Sequence, residues 1–254
     1  MLVNQRYERI INLLKANGII DVRTLSKLLD VTEKTVRLDL DALQQQGLLI
    51  RVRGGAIYSG SDRSPYTVAQ RRRNNPDKKE LIAQYAHSLI EENDTIYLDD
   101  GSTCMALARL LGDKKVVVIT NDLKIANELA SKDLITLFLT GGMIKKDESS
   151  YLMAGDDTLH MLRKHKIDKA FMSTCTVSLT DGLMIYYYGE TSVKRAAMQS
   201  AGKVYCLADS SKFEKNAFQH FADVNDFDMI ITDSQLDQNI INDYLKAGVD
   251  LKTV

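Results

Sequence analysis

Cysteine is scarce in this chain of 254 residues. Cys104, Cys175 and Cys206 stand far apart, form no CxxC pair and are odd in number. That excludes a disulfide framework and fits a reducing cytoplasm, the expected location. Each lies in or beside an apolar run, so each reads as a buried thiol. The four histidines show no metal-ligand spacing, and there is no HExxH and no Cys/His cluster. No metal or cofactor is expected. No apolar run approaches the roughly 18 residues of a membrane span. The opening MLVNQRYERI is broken by charges and does not read as a signal peptide. There is no internal repeat and no low-complexity tract. Apolar residues make up 44 % and charged residues 26 %, the balance of a globular fold.

Net charge is close to zero, at −1, but unevenly spread. Residues 1–80 hold 15 Lys/Arg against 9 Asp/Glu, a balance of +6; the remainder holds 18 against 25, or −7. A basic head on an acidic body suits a nucleic-acid partner better than the sum suggests.

Proline occurs only at Pro65 and Pro76, both within the polar stretch SGSDRSPYTVAQRRRNNP. This predicts a head at 1–58, a linker at 59–76 and a second domain at 77–254. In the head, Tyr7, Ile10, Ile11 and Leu14 recur with helical spacing, and Gly18 ends the run. Val22, Leu25, Leu28 and Leu29 form a second apolar face. After Asp30-Val31-Thr32, residues Val36, Leu40 and Leu43 mark a third helix, with Thr32 as N-cap and Gly47 as stop. Two helices across a short turn suggest a helix-turn-helix, whose second helix enters the major groove. Thr32, Lys34, Thr35, Arg37 and Leu38 are its candidate DNA contacts. Arg37 suits either a guanine or a phosphate. Leu49–Val52 and Ala56–Tyr58 can pair across Arg53-Gly54-Gly55 as a wing, offering Arg51 and Arg53 to phosphates.

Beyond the linker, β-branched runs alternate with amphipathic segments. Strands are expected at 96–98, 116–120, 136–140, 170–172, 204–208 and 229–232. Helices are expected at 103–111, 123–129, 193–200 and 238–246. Such alternation predicts βαβ units and a mostly parallel sheet, with ligands at the carboxyl ends of the strands. Glycine and hydroxyl clusters fall at those ends. Asp99-Asp100-Gly101-Ser102-Thr103 follows the first strand and opens a helix, the local pattern of an anion cradle. Thr120-Asn121, Thr140-Gly141-Gly142 and Asp209-Ser210-Ser211-Lys212 end further strands.

These motifs, in this order, resemble the DeoR family of bacterial transcriptional regulators. The head carries Arg6, Ile10 and Leu13, then Val22-Arg-Thr-Leu-Ser-Lys-Leu-Leu, Thr35-Val-Arg-Leu-Asp-Leu and Arg51-Val-Arg-Gly-Gly-Ala56. The body carries Asp99–Thr103, Thr120-Asn121, Gly141-Gly142, Glu190-Thr-Ser-Val-Lys194-Arg195 and Asp209–Phe213. Leu38 departs from the pattern: the family usually has a second arginine there. The resemblance implies a winged helix-turn-helix followed by an α/β effector domain similar to ribose-5-phosphate isomerase. It implies operator DNA and a phosphorylated sugar or sugar-derived effector as partners. A homo-oligomer, dimer or tetramer, is expected because one head of this size offers too little contact for tight specific binding, and no membrane partner is expected. By the resemblance, Asp99, Gly101, Ser102, Thr103, Thr120, Asn121, Gly141, Gly142, Glu190, Lys194, Asp209 and Lys212 line the effector site, with Lys194 and Lys212 as cations.

An isomerase of this fold would need a carboxylate over the sugar. Where such enzymes have an acid after the middle strand, this chain reads Met172-Ser-Thr-Cys175, with no acid before Asp181. No catalytic residue is therefore assigned. The expected function is a regulator, a repressor of a carbohydrate operon released by its effector. The rival reading is a sugar-phosphate isomerase-like enzyme with an accessory DNA-binding domain. Tyr186, Tyr187 and Tyr188 suit either ring stacking or a core and oligomer contact.

Overall fold

The computed structural model describes residues 3–17, 19–45, 48–52, 54–58, 74–147, 150–185, 190–217 and 219–254. Its two compact units are a head, described up to Tyr58, and a body, described from Asn74. Arg53, Arg71-Arg72-Arg73 and Tyr186-Tyr187-Tyr188 lie outside the described residues, as do residues 59–73 of the expected linker.

The head runs α1 (Val3–Asn17), β1 (Ile19–Asp21), α2 (Val22–Leu29), α3 (Glu33–Gln45), β2 (Leu49–Val52) and β3 (Gly55–Tyr58). Asp21 caps α2, its carboxylate accepting from the Thr24 amide at 2.8 Å. Asp30 ends the helix in a left-handed conformation, φ 53°. The Thr32 hydroxyl then accepts from the Thr35 amide at 3.2 Å, the cap expected for α3. The wing is present as β2–β3, and it is joined by β1, which the sequence reading missed, in the order β1-β3-β2. Ile10, Leu14, Leu25, Leu29, Val36, Leu40 and Leu43 form the core. Leu28, expected on the apolar face of α2, is exposed instead. It lies about 100° from Leu29 around the helix, on the flank away from Val22. Arg6 of α1 and Asp39 of α3 are both buried and form a two-pronged ion pair, one prong at 2.8 Å.

The body opens with α4 (Pro76–Ser88), whose first residue closes the expected linker. It continues β4 (Thr95–Leu98), α5 (Ser102–Leu110), β5 (Val116–Thr120), α6 (Leu123–Leu129) and β6 (Ile135–Leu139). A hairpin, β7 (Met143–Asp147) and β8 (Ser150–Ala154), precedes α7 (Asp156–Lys164) and β9 (Ile167–Ser173). Then come β10 (Thr176–Ser178), β11 (Gly182–Ile185), α8 (Thr191–Ser200), β12 (Ala201–Leu207) and β13 (Gln219–Ala222). The last elements are β14 (Met229–Thr232), α9 (Gln238–Lys246) and β15 (Leu251–Thr253).

Seven strands form one sheet in the order β15-β14-β12-β9-β4-β5-β6, every pairing parallel. Alternate residues feed two cores. Ile96, Leu98, Val118, Phe171, Leu207 and Ile231 pack with α4, α5 and α6. Tyr97, Ile119, Met172, Cys206 and Ile230 pack with α7, α8 and α9. A sheet covered on both faces explains why its strands read as continuous apolar runs. A small antiparallel sheet, β10-β11-β13, adds Val177, Leu183 and Phe221 to the second core.

Candidate functional site

The strand order contains one switch point. From β4 the chain builds outward through β5 and β6, then returns to place β9 on the other side of β4. The loops leaving β4 and β9 therefore diverge and open a crevice at the carboxyl ends of the strands. Those loops are Asp99–Gly101 and Thr174–Cys175.

Gly101 makes the first loop possible. Its φ of +111° and ψ of 170° belong to a region almost closed to other residues. A Cβ there would also stand 3.0 Å from the Ser173 hydroxyl. No side chain caps α5, which starts at this loop with the positive end of its helix dipole. The Thr103 hydroxyl and the Asp99 Oδ1 atom are buried with no partner among the described residues.

Lys194, in the first turn of α8, reaches into this loop and is 2 % exposed. It donates to Asp99 Oδ2, to Asp100 Oδ1 at 2.9 Å and to the Ser173 carbonyl at 3.4 Å. The Ser173 amide also donates to Asp99 Oδ2, at 2.8 Å. One ammonium thus serves two carboxylates. Burial pushes the Asp99 carboxyl up to about 6; Lys194 opposes the shift and Asp100 adds to it. Burial works against the charge on Lys194, but Asp100, Asp99 and Glu190 together hold its pKa above the ordinary lysine value.

A second charged group lies at the end of β12. Asp209 accepts from the Ser211 amide at 3.1 Å, and Lys212 donates to the Thr174 carbonyl at 2.8 Å. Burial would raise the Asp209 carboxyl, yet Lys212, the Ser211 hydroxyl and Lys79 keep it low. Two lysines that sequence reasoning missed arrive here on α4. Lys78 donates to the Ser210 hydroxyl at 2.8 Å and pairs with Asp233 at 3.2 Å. Lys79 is 4 % exposed. Its signal was phase: Lys79, Ile82, Ala83 and Ala86 share one helical face, so a lysine stands where a core residue belongs.

The remaining expected residues lie farther along the sheet. Asn121 accepts from the buried Tyr97 hydroxyl at 2.8 Å and holds β8 through the Met153 amide, also at 2.8 Å. The Thr140 amide donates to the Thr120 carbonyl at 2.9 Å. Gly141 accepts from Thr158 at 2.5 Å, and a Cβ on Gly142 would meet the Ala154 carbonyl at 2.6 Å. Gly141 and Gly142 thus pack against the start of α7, with no hydrogen bond to the Asp99 loop among the described residues. Glu190 pairs with Lys145 of β7 at 3.4 Å. The structure therefore gathers Asp99, Gly101, Ser102, Thr103, Lys194, Asp209 and Lys212 around β4, β9 and β12. Asn121 joins through Tyr97, and Glu190 through its charge on Lys194.

In the head, α3 exposes Lys34, Arg37 and Leu38 opposite its buried Val36, Leu40 and Leu43. Arg37 is held by Glu33 at 2.7 Å. Arg51, expected at a phosphate, pairs with Asp41 of α3 at 3.1 Å, and its amide donates to Gln44. It ties the wing to the helix.

A winged helix-turn-helix followed by a parallel α/β body with a polar crevice at its switch point defines a two-module transcriptional regulator. One module reads DNA; the other senses a small molecule. Residues 6–62 match the DeoR-like helix-turn-helix domain, and residues 74–234 match the DeoR C terminal sensor domain. The chain belongs to the DeoR family of transcriptional regulators. Among curated relatives, the HTH-type transcriptional regulator GolR of Listeria innocua is 32 % identical over 98 % of this chain and 97 % of its own. The HTH-type transcriptional repressor GlcR of Bacillus subtilis is 31 % identical over 99 % and 96 %. The glycerol-3-phosphate regulon repressor of Escherichia coli is 29 % identical over 92 % of each. Among solved structures, ribose 5-phosphate isomerase A of Methanocaldococcus jannaschii aligns over 55 % of each chain, at 21 % identity and a TM-score of 0.41. Among the described residues no helix is long and apolar enough to cross a membrane.

Proposed function

We propose that the protein represses a carbohydrate operon and is released by a phosphorylated sugar or polyol bound at the switch point. The observation carrying this reading is the convergence there of an uncapped helix N-terminus with Lys79, Lys194 and Lys212. N–H groups and ammonium groups at one crevice favour a phosphate. The relatives support it by name: one is a repressor of a glycerol-3-phosphate regulon, another a transcriptional repressor.

Binding without turnover fits the same geometry. The two acids nearest the crevice, Asp99 and Asp100, both bond Lys194. Where an isomerase of this fold needs an acid after the middle strand, β9 is followed by Thr174-Cys175 and by no acid before Asp181. The protein acts as a homo-oligomer, because one head of this size offers too little contact for tight specific binding. The effector favours one body geometry by its differential affinity, and that geometry misplaces the heads.

Calorimetric titration with a panel of sugar and polyol phosphates, followed by NMR of each mixture, tests this. One compound binding and remaining chemically unchanged is the expected result. Conversion of a bound aldose phosphate to its ketose would overturn the regulator-only reading.

A further inference from the structure

The most exposed large apolar side chain described in the head is Leu38, 62 % exposed. It stands on α3, the helix that a helix-turn-helix lays in the major groove. Lys34, Arg37, Leu38 and Asp41 share the outward face, at helical spacings of three and four. The carboxylates on this face and beside it already have partners: Glu33 holds Arg37, and Asp41 holds Arg51. On the outward face Leu38 is thus an apolar side chain set among Lys34 and the ion-paired Arg37 and Asp41. The leucine has no counterpart in the head's core, which Val36, Leu40 and Leu43 complete from the opposite side of the helix.

The major groove offers one strongly apolar group, the 5-methyl of thymine. An exposed leucine gains nothing from water and gains most by covering such a methyl. We infer that Leu38 is a specificity-determining residue of the head and reads thymine methyl groups in each half-site. The flanking Arg37 sets the register beside it, and Leu38 supplies the apolar half of the readout. This rests on the head binding a defined operator, so the test begins from a fragment the protein already prefers over scrambled DNA.

That fragment is amplified twice, once with thymidine and once with deoxyuridine throughout, which removes every 5-methyl and leaves base pairing intact. Affinities of the full-length protein are measured at one salt concentration, since phosphate contacts make them salt-dependent. The wild type loses roughly four-fold per half-site on deoxyuridine DNA, about sixteen-fold for two half-sites. Leu38→Ala binds thymidine DNA about as weakly as the wild type binds deoxyuridine DNA, and is indifferent to the methyl groups. Leu38→Met, which keeps an apolar side chain, retains the sensitivity. A wild type indifferent to deoxyuridine would overturn the assignment. So would an equal loss by wild type and Leu38→Ala, because the methyl effect would then act through DNA shape or another residue. Retained non-specific binding by Leu38→Ala confirms a folded head in either case.

Discussion

Replacing Lys194 by methionine keeps the length of the side chain but removes the ammonium that Asp99 and Asp100 share. Both carboxylates are buried, Asp99 at 1 % exposure and Asp100 at 7 %. Breaking a buried ion pair by removing one partner costs about 3–5 kcal/mol. In a body of this size that corresponds to a fall in Tm of roughly 6–20 °C. The loss has a pH signature. The Asp99 carboxyl is already raised to about 6, chiefly by burial. A raised folded value favours folding fully below the unfolded pKa, and the benefit is lost as pH rises through the folded pKa. Without the ammonium the folded value climbs further, so the penalty of ionisation extends upward in pH. The wild-type lysine, with its own pKa raised, keeps its contribution throughout this range. The deficit of Lys194→Met is therefore smallest near about pH 4 and largest near about pH 8. Urea denaturation followed by circular dichroism at both pH values measures it. A deficit under about 1 kcal/mol, or one equal at both pH values, would refute the reasoning.

Gly101→Ala forces a side chain into a backbone region that costs about 1–3 kcal/mol, against Ser173. The variant should bind operator DNA yet lose its effector response, read by anisotropy with and without the compound. Lys212→Ala should leave operator affinity intact and weaken effector binding roughly 10–100-fold, the loss of one charge-assisted bond, by calorimetric titration. Asp39→Asn leaves the Arg6 guanidinium buried against a neutral partner. It should cost the head about 3 kcal/mol and abolish DNA binding on mild warming, while the body's calorimetric transition stays in place. An Arg6→Met/Asp39→Leu double variant should recover most of that stability.

Legibility followed physical strength of pattern. Residues 116–120, 123–129, 229–232 and 238–246 read to the residue, because short β-branched apolar runs and amphipathic helical stripes with clear boundaries are strong patterns. The strand at 167–173 was read only as 170–172, since Asp168 and Lys169 interrupt its apolar run. Helix α4 went unread. Its opening Pro-Asp-Lys-Lys-Glu looks like linker, and its buried Lys79 breaks the apolar stripe. The hairpin β7–β8 carries Lys, Asp and Ser, and the short strands of the sheet β10-β11-β13, three or four residues each, carry Thr, Ser and Gly, which blurs any alternation. Most of the residues gathered at the crevice stand out in the sequence, because glycine and hydroxyl clusters fall at the ends of its apolar strands. Pairings were not. That Lys194 bonds Asp99 and Asp100, 94 or 95 positions away in sequence, follows only once β9 lies beside β4.

The most direct test of the whole account is fluorescence anisotropy of the full-length protein on DNA from upstream of its own gene. It is run at fixed salt, with and without sugar and polyol phosphates. Tight binding that exceeds binding to random DNA, and is released by one phosphorylated compound, is the predicted result. Equal affinity for random DNA, or specific binding indifferent to every phosphate, would contradict it.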